Sequence, residues 1–550
     1  MEHGSFSVKV HDRHHLEWKL VWPLERSRRR DKIGLEVFLF LPQSLRIRRD
    51  TYSRTEFYED LTTYTRYGSP DMPFAEILDK QNPLSPLTRV ARQRTEQPDL
   101  LQRRTRVSYE LRVLMCIVRG RMSKDTLAIR RLLTKAREAP TPDQGMLEEA
   151  ARLTRVTLEN TRHVLERVRE LKREYAAPAS DSALMRAFEF TDEGLSLECE
   201  ERCAKLYRAG RPALSKPGEA PEALSDAWTA LREMIEAESR HRRQACYPSQ
   251  PNLAPGVNAA LNNERWLYRR GALKKYAQST LYLSLHQAPG SRSILSALYA
   301  GAAMIAMLAF VLTLWFLRDI APMNSLPYLV LAVIAYAFKD RIKEGLRSYF
   351  SERMTGFLRD REGQLLDRGP TRRGVGETSE AFVFVDEAKL PEDVQHLRNR
   401  DEISQAAALE APESVLKYQK QLVVHLDRVF AQRERVTELN ELMRLSVQRF
   451  LYHMDDAQKV FYRPYIKEAA APGANFEANS GSDALSAPVP ALSPQQVMKR
   501  GRARKTYHVN IIVRATGPGL PKHGRLQRFR VILSRDGIER IEHPPRPEKM

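Results

Sequence analysis

Two uncharged runs between Ile294 and Phe338, separated by a short connector around Arg318, Asp319 and Asn324, constrain this chain more than any other feature. The first, Ile294 to Leu317, has 24 residues without a charge. At about 1.5 Å per residue it crosses a hydrocarbon core of roughly 30 Å with room for tilt. Eleven of its positions are Leu, Ile, Phe or Val, each favouring insertion by about 0.3 to 0.6 kcal/mol at mid-helix. The second run, Ile320 to Phe338, starts among Pro322, Asn324, Ser325 and Pro327. Its firm apolar part, Leu326 to Phe338, makes about 20 Å of helix and suits the returning arm of a hairpin. A buried helix pair in a soluble protein is the alternative, but all-round apolar runs of this length are seldom left inside soluble domains.

The flanks set the expected orientation. Lys274, Lys275 and Arg292 precede the first run, and Lys339, Arg341, Lys343, Arg347 and Arg353 follow the second. The positive-inside rule then places both termini in the cytoplasm, at the inner or plasma membrane. Met1 to Arg13 lacks the apolar stretch of a signal peptide. The net charge of +20 calls for an acidic counter-surface, and for an inserted protein anionic lipid headgroups are nearest. Four cysteines in 550 residues are too few for a disulfide scaffold.

Along the chain, residues 1–50 read as strands: Phe6, Val8 and Val10 alternate with polar residues, as do Leu16, Trp18, Leu20 and Trp22, and Ile33 to Leu41 reads as a central strand buried on both faces. Residues 51–255 read as a helical cytoplasmic domain, with a break at Gly120, a helix start at Asp143 and a polar seam of Thr154, Thr157 and Thr161. Residues 256–293 read as a juxtamembrane helix in which Trp266, Tyr268, Tyr276 and Tyr282 mix with basic residues. Residues 339–400 extend the second arm and add a short strand at Ala381 to Val385. From 412 to 461, Val415, Tyr418, Leu422, Leu426, Val429, Val436, Leu439, Met443, Val447, Phe450, Met454 and Phe461 recur at steps of three, four or seven, which predicts one long amphipathic, coiled-coil-like helix. Residues 468–496 read as a disordered linker, and 505–543 as strands turning at Asp536-Gly537. Small strand units are marginal alone, so both ends of the chain are expected to share one sheet. The expected fold is an α+β membrane protein with a two-helix transmembrane hairpin (294–317 and 320–338), a large, mainly α-helical cytoplasmic region, and an antiparallel sheet built from N- and C-terminal strands.

Chemistry-bearing motifs are weak. His11, His14 and His15 sit where a turn is expected. Cys199 and Cys203 form at most half a zinc site, which His241 and Cys246 would complete; unpaired structural thiols are the simpler reading. Gly374-Val375-Gly376 precedes a strand, where a dinucleotide motif must follow one. Asp386, Glu387 and Lys389 at a strand end suggest a metal-dependent nuclease only faintly. No cofactor or metal is expected. The expected membrane-surface basic residues are Arg265, Arg269, Arg270, Lys274, Lys275, Lys339, Arg341, Lys343 and Arg347. Ala297, Gly301, Ala302 and Ala306 form a small-residue surface for helix packing. The sequence thus suggests a non-catalytic, membrane-anchored scaffold or interaction protein, whose partners are anionic lipid, another protein and a second copy. Aromatics at core-facing strand positions argue against nucleic acid. The alternatives are an oligomeric sensor or channel-like protein, and a membrane-tethered hydrolase or nuclease acting through Glu387 and Lys389.

Overall fold

A computed structural model of the chain describes residues 5–95, 99–138, 143–176, 181–214, 221–250, 259–289, 292–320, 322, 325–354, 359–369, 372–398, 413–455, 458–464, 498–521 and 523–543. The fold is α+β, with antiparallel sheets and a helical bundle. Alternating side chains set the first strands, β1 (Ser5–Asp12) and β2 (His15–Pro23), while β3 (Arg30–Leu41) is buried on both faces from Val37 onward. Short helices α1 (Arg54–Asp60), α2 (Phe74–Leu78) and α3 (Pro86–Thr95) surround strand β4 (Leu61–Tyr67). The bundle follows: α4 (Leu100–Glu138), α5 (Gln144–Tyr175), α6 (Ser182–Leu214) and α7 (Glu222–Gln244).

Helix α4 runs unbroken through Gly120. A mid-helix glycine costs only about 1 kcal/mol, and the stripe of Val107, Leu111, Leu114, Val118 and Met122, all buried, outweighs it. Asp143 caps α5 as expected, its carboxylate accepting from the Met146 N–H. The threonine seam is satisfied locally: the hydroxyls of Thr154, Thr157 and Thr161 each donate to the carbonyl four residues back.

After α8 (Ala259–Gln278) come β5 (Leu283–Pro289), α9 (Arg292–Ile320), α10 (Leu326–Met354), β6 (Arg361–Asp367), β7 (Gly374–Val385) and α11 (Glu392–Arg398). The segment expected as one long amphipathic helix is instead β8 (Ser414–His425), α12 (Leu426–Gln432), β9 (Glu438–Ser446) and α13 (Gln448–Leu451), with Phe461 in β10 (Gln458–Pro464). The chain closes with β11 (Met498–Arg504), β12 (Tyr507–Thr516), β13 (Arg525–Ser534) and β14 (Gly537–Glu542). The expected linker at 468–496 lies outside the described residues.

The large sheet has the order β14-β13-β12-β3-β8-β7-β6-β5, and a four-stranded sheet has the order β1-β2-β9-β4. N- and C-terminal strands do meet: β12 pairs with β3 from Asn510↔Phe40 to Thr516↔Gly34. Leu16, Trp18, Leu20 and Trp22 of the small sheet share one core with Leu35, Val37, Leu39 and Tyr418 of the large one. Within that core Lys420 lies 2.9 Å from Glu380 and 2.5 Å from Glu441, and the Thr65 hydroxyl donates to Glu441 at 2.6 Å. Burial disfavours the ammonium, yet Glu441 and Glu380 outweigh it and hold the Lys420 pKa above its ordinary value. On the opposite face of the large sheet, α11 seals a second core of Phe38, Phe40, Val415 and Ile512. Removing 498–550 unpairs the whole β12 edge of β3. Seven residue pairs are lost there; at about 1 kcal/mol net per backbone hydrogen bond, having even two fewer to break in each opening predicts at least roughly thirtyfold faster amide exchange across Ile33–Leu41, and unchanged protection there would contradict the shared sheet.

Candidate membrane-facing hairpin

The apolar runs form an antiparallel helix pair rooted in the large sheet. Strands β5 and β6 are register partners from Leu283↔Asp367 to Pro289↔Arg361, so the chain leaves and re-enters the sheet at one paired position. Helices α9 and α10 fill that gap. Their ring contacts fix the register: Phe310 meets Tyr336 edge-on, with centroids 5.9 Å apart, and the Arg347 guanidinium lies 4.5 Å over Tyr299.

Among the described residues, one helix is long and apolar enough to cross a membrane. This is Ser296–Leu317 of α9, 22 residues of mean hydropathy 2.2, with only 11% of its apolar window buried. At about 1.5 Å per residue it spans roughly 33 Å. Its side chains point away from the protein: Met304 is 68% exposed, Leu308 61% and Trp315 63%. Exposed large apolar side chains along a whole helix are unusual on a soluble monomer, where contiguous apolar patches are small. Leu326, Leu329 and Val333 of α10 extend this apolar surface.

The second arm differs from the expected span. It is apolar only from Leu326 to Phe338 and then turns charged within the same helix. The register sets Lys339, Asp340, Arg341, Lys343 and Glu344 of α10 level with Met307 to Ala302 of α9, well inside the apolar length of α9. Lys339 folds back, its ammonium 3.7 Å from the Tyr336 ring centroid and 5.8 Å from that of Phe310. Arg341 stays 85% exposed, 3.8 Å from Glu344.

The small residues of α9 divide between two surfaces. Ala302 and Ala306 are buried, whereas Ala297 is exposed and a Cβ added at Gly301 meets nothing within 4 Å. Ala306→Leu is therefore expected to cost about 1–3 kcal/mol by overpacking, and Gly301→Leu close to nothing, in thermal unfolding of the detergent-solubilised protein. Equal losses at both positions would contradict this division.

Helix α8 does not lie free as an interfacial helix. Leu273 and Ala277 are buried, Arg269 pairs with the buried Glu193 at 2.6 Å and Arg270 with Glu201 at 2.5 Å. Those two charges are neutralised inside the protein, while Arg265, Lys274 and Lys275 remain at the surface. Partial burial, then the nearby Arg119 and Arg270, hold the Lys274 pKa below its usual value.

The remaining motifs resolve into structural roles. Asp12 accepts from the backbone N–H groups of His14 and His15 in an exposed turn. Cys199 and Cys203 lie buried with sulfurs 4.0 Å apart. His241 instead contacts Asp192 at 2.9 Å, within a network that also receives Arg169 and the Tyr247 hydroxyl. Burial works against the Asp192 carboxylate, but His241 and Arg169 bring its pKa down to about 2. This buried network was not foreseen from sequence, because its members are scattered over three helices and the turn after α7. No group of three His, Cys, Asp or Glu that could hold a metal occurs among the described residues. Gly374 and Gly376 lie in β7, and Lys389 bridges Asp386 at 2.9 Å in the open. No protein-family model matches the chain, and no curated protein or solved structure matches it significantly.

Proposed function

We propose that this is a membrane-anchored protein whose α9–α10 hairpin crosses the bilayer twice and whose body works as a cytoplasmic scaffold or interaction module. The observation that carries the reading is topological. The large sheet draws β3 and β5 from before α9, and β6, β7, β8 and β12 from after α10. One sheet cannot be divided by a bilayer, so if α9 crosses, the chain must cross back before β6. Among the described residues, the only intervening helix is α10. Its short apolar part suits a return arm that inserts with α9 as a unit. Arg265, Lys274 and Lys275, which precede α9, then favour the cytoplasmic side, at an inner or plasma membrane.

Cysteine accessibility tests the topology. A single cysteine at Pro322 should react with a membrane-impermeant maleimide added outside intact cells, and cysteines at Ser7 and Ser534 only after lysis. Outside labelling of either terminal position would end the two-crossing reading.

One observation favours the second reading, an oligomeric sensor or channel-like assembly. Ionisable groups at hydrocarbon depth are costly and tend to face water or each other. Lys339 to Glu344 form such a band, and several copies could enclose it.

A further inference from the structure

We infer that the β10–β11 ribbon is a second membrane contact, one that binds the headgroups of anionic lipids beside the hairpin root. The inference rests on the hairpin reading above and adds to it a surface far away in sequence. Strands β10 and β11 form a sheet of their own, paired from Gln458↔Arg504 to Pro464↔Met498. Neither strand contains an acidic residue, while Lys459, Arg463, Lys499, Arg500, Arg502 and Arg504 are basic. Arg504 holds the base of the ribbon to Glu539 at 2.7 Å. Lys459 and Arg502 are exposed and have no acidic partner among the described residues.

Apolar and aromatic side chains are interleaved with this charge: Tyr462 is 64% exposed and Val460 46%. By register, Val460 and Tyr462 share one face of the ribbon with Arg502. A tyrosine with an arginine on the same face matches the headgroup layer, where an amphipathic ring sits at the interface and each nearby basic residue contributes about 1 kcal/mol toward an anionic surface.

Position selects lipid over other anions. The ribbon enters the large sheet at the Tyr507 end of β12, which lies beside the Leu41 end of β3. Strand β5 runs parallel to β3 through three intervening strands, so the chain departs for α9 toward that same end. The two exits are five strand spacings apart across the sheet, roughly 24 Å, and the register from Pro289 through Arg361, Glu380, Lys420 and Leu35 to Ala515 offsets them by a further eight residues along the strands, roughly 26 Å. The exposed Arg46 and Arg48 follow Leu41 at this end, extending the basic rim.

The test uses the full chain with Cys246, the exposed cysteine, replaced by Ser and a polarity-sensitive fluorophore on Tyr462→Cys. The protein is reconstituted into vesicles of phosphatidylcholine alone or with added phosphatidylglycerol. A blue shift with the anionic vesicles only, reversed by salt, is the expected result. Lys459→Gln with Arg502→Gln should lower the docking equilibrium by roughly twenty- to thirtyfold. Carbonate-resistant protein that shows no shift in anionic vesicles overturns the ribbon proposal and leaves the hairpin standing. Carbonate extraction from both vesicle types overturns the hairpin reading. A shift evoked by a single-stranded oligonucleotide, with none from anionic vesicles, overturns the proposal in favour of nucleic acid.

Discussion

Lys420→Met is expected to destabilise the body by about 3–5 kcal/mol, with a deficit that shrinks as the pH is lowered. The ammonium sits between Glu380 and Glu441 in the core shared by the two sheets, at side-chain exposures of 3%, 2% and 6%. Removing one partner of a buried ion pair leaves charge in a medium that cannot solvate it, and this sets the magnitude. The pH dependence follows from Glu441. Burial raises its pKa above 4.5, and Lys420 and Thr65 offset only part of that rise. A carboxyl with a raised folded pKa stabilises fully below its unfolded pKa, and loses that contribution as pH climbs through the folded value. Without Lys420 the offset disappears and the folded value climbs further. Urea unfolding of the variant should therefore show its greatest deficit near neutrality and partial recovery toward about pH 5. A deficit that is flat with pH, or below about 1 kcal/mol, would mean the cluster is hydrated and not a core element.

Leu308→Arg combined with Leu312→Arg should abolish insertion of the hairpin. Both positions face outward from α9, at 61% and 46% exposure, so neither arginine disturbs packing against α10. At the centre of a span each arginine costs about 2.5–3.5 kcal/mol, and each lost leucine removes about 0.3–0.6 kcal/mol more. The pair therefore shifts insertion by roughly 6–8 kcal/mol, against a few kcal/mol from all eleven strongly apolar residues of the run. Carbonate extraction of membranes should move the variant from pellet to supernatant, with limited proteolysis reporting an intact body. Retention in the pellet would sink the proposal that α9 spans.

The residues in these two experiments also show what the sequence disclosed. The apolar runs were visible because nothing interrupts them, and the first and last strands because their alternation is clean. Strands β8 and β9 were misread for a specific physical reason. Leu416, Tyr418, Lys420, Leu422 and Val424 alternate inward on β8, and Leu439, Glu441, Met443 and Leu445 on β9. In each strand one inward position is charged, and those two charges are each other's partners. With Lys420 and Glu441 counted as surface, Tyr418 to Leu422 and Leu439 to Met443 become steps of four, and with Val415, Leu426, Val436 and Val447 on either side they imitate a helix. A one-dimensional pattern cannot reveal that two distant charges cancel. Nor could it show Arg269 paired with Glu193, or Lys339 level with Met307 of α9, which depend on tertiary contact and on helix register.

The interleaving of strands around the hairpin also dictates the order of assembly during synthesis. Strand β3 ends at Leu41, while its two neighbours begin at Ser414 and Tyr507. At roughly 5–20 residues per second, β3 emerges well over ten seconds before it can pair on either side. On the proposed topology, the hairpin emerges within that interval and meets the membrane while the sheet that will clamp its root is still incomplete. Insertion would then precede closure, with β5, β6 and β8 assembling on a chain already tethered at its middle. Tethering shortens the effective search for the non-local pairings that make such sheets slow to form. It also keeps the exposed edge of β3 beside the bilayer while that edge waits for β8 and β12.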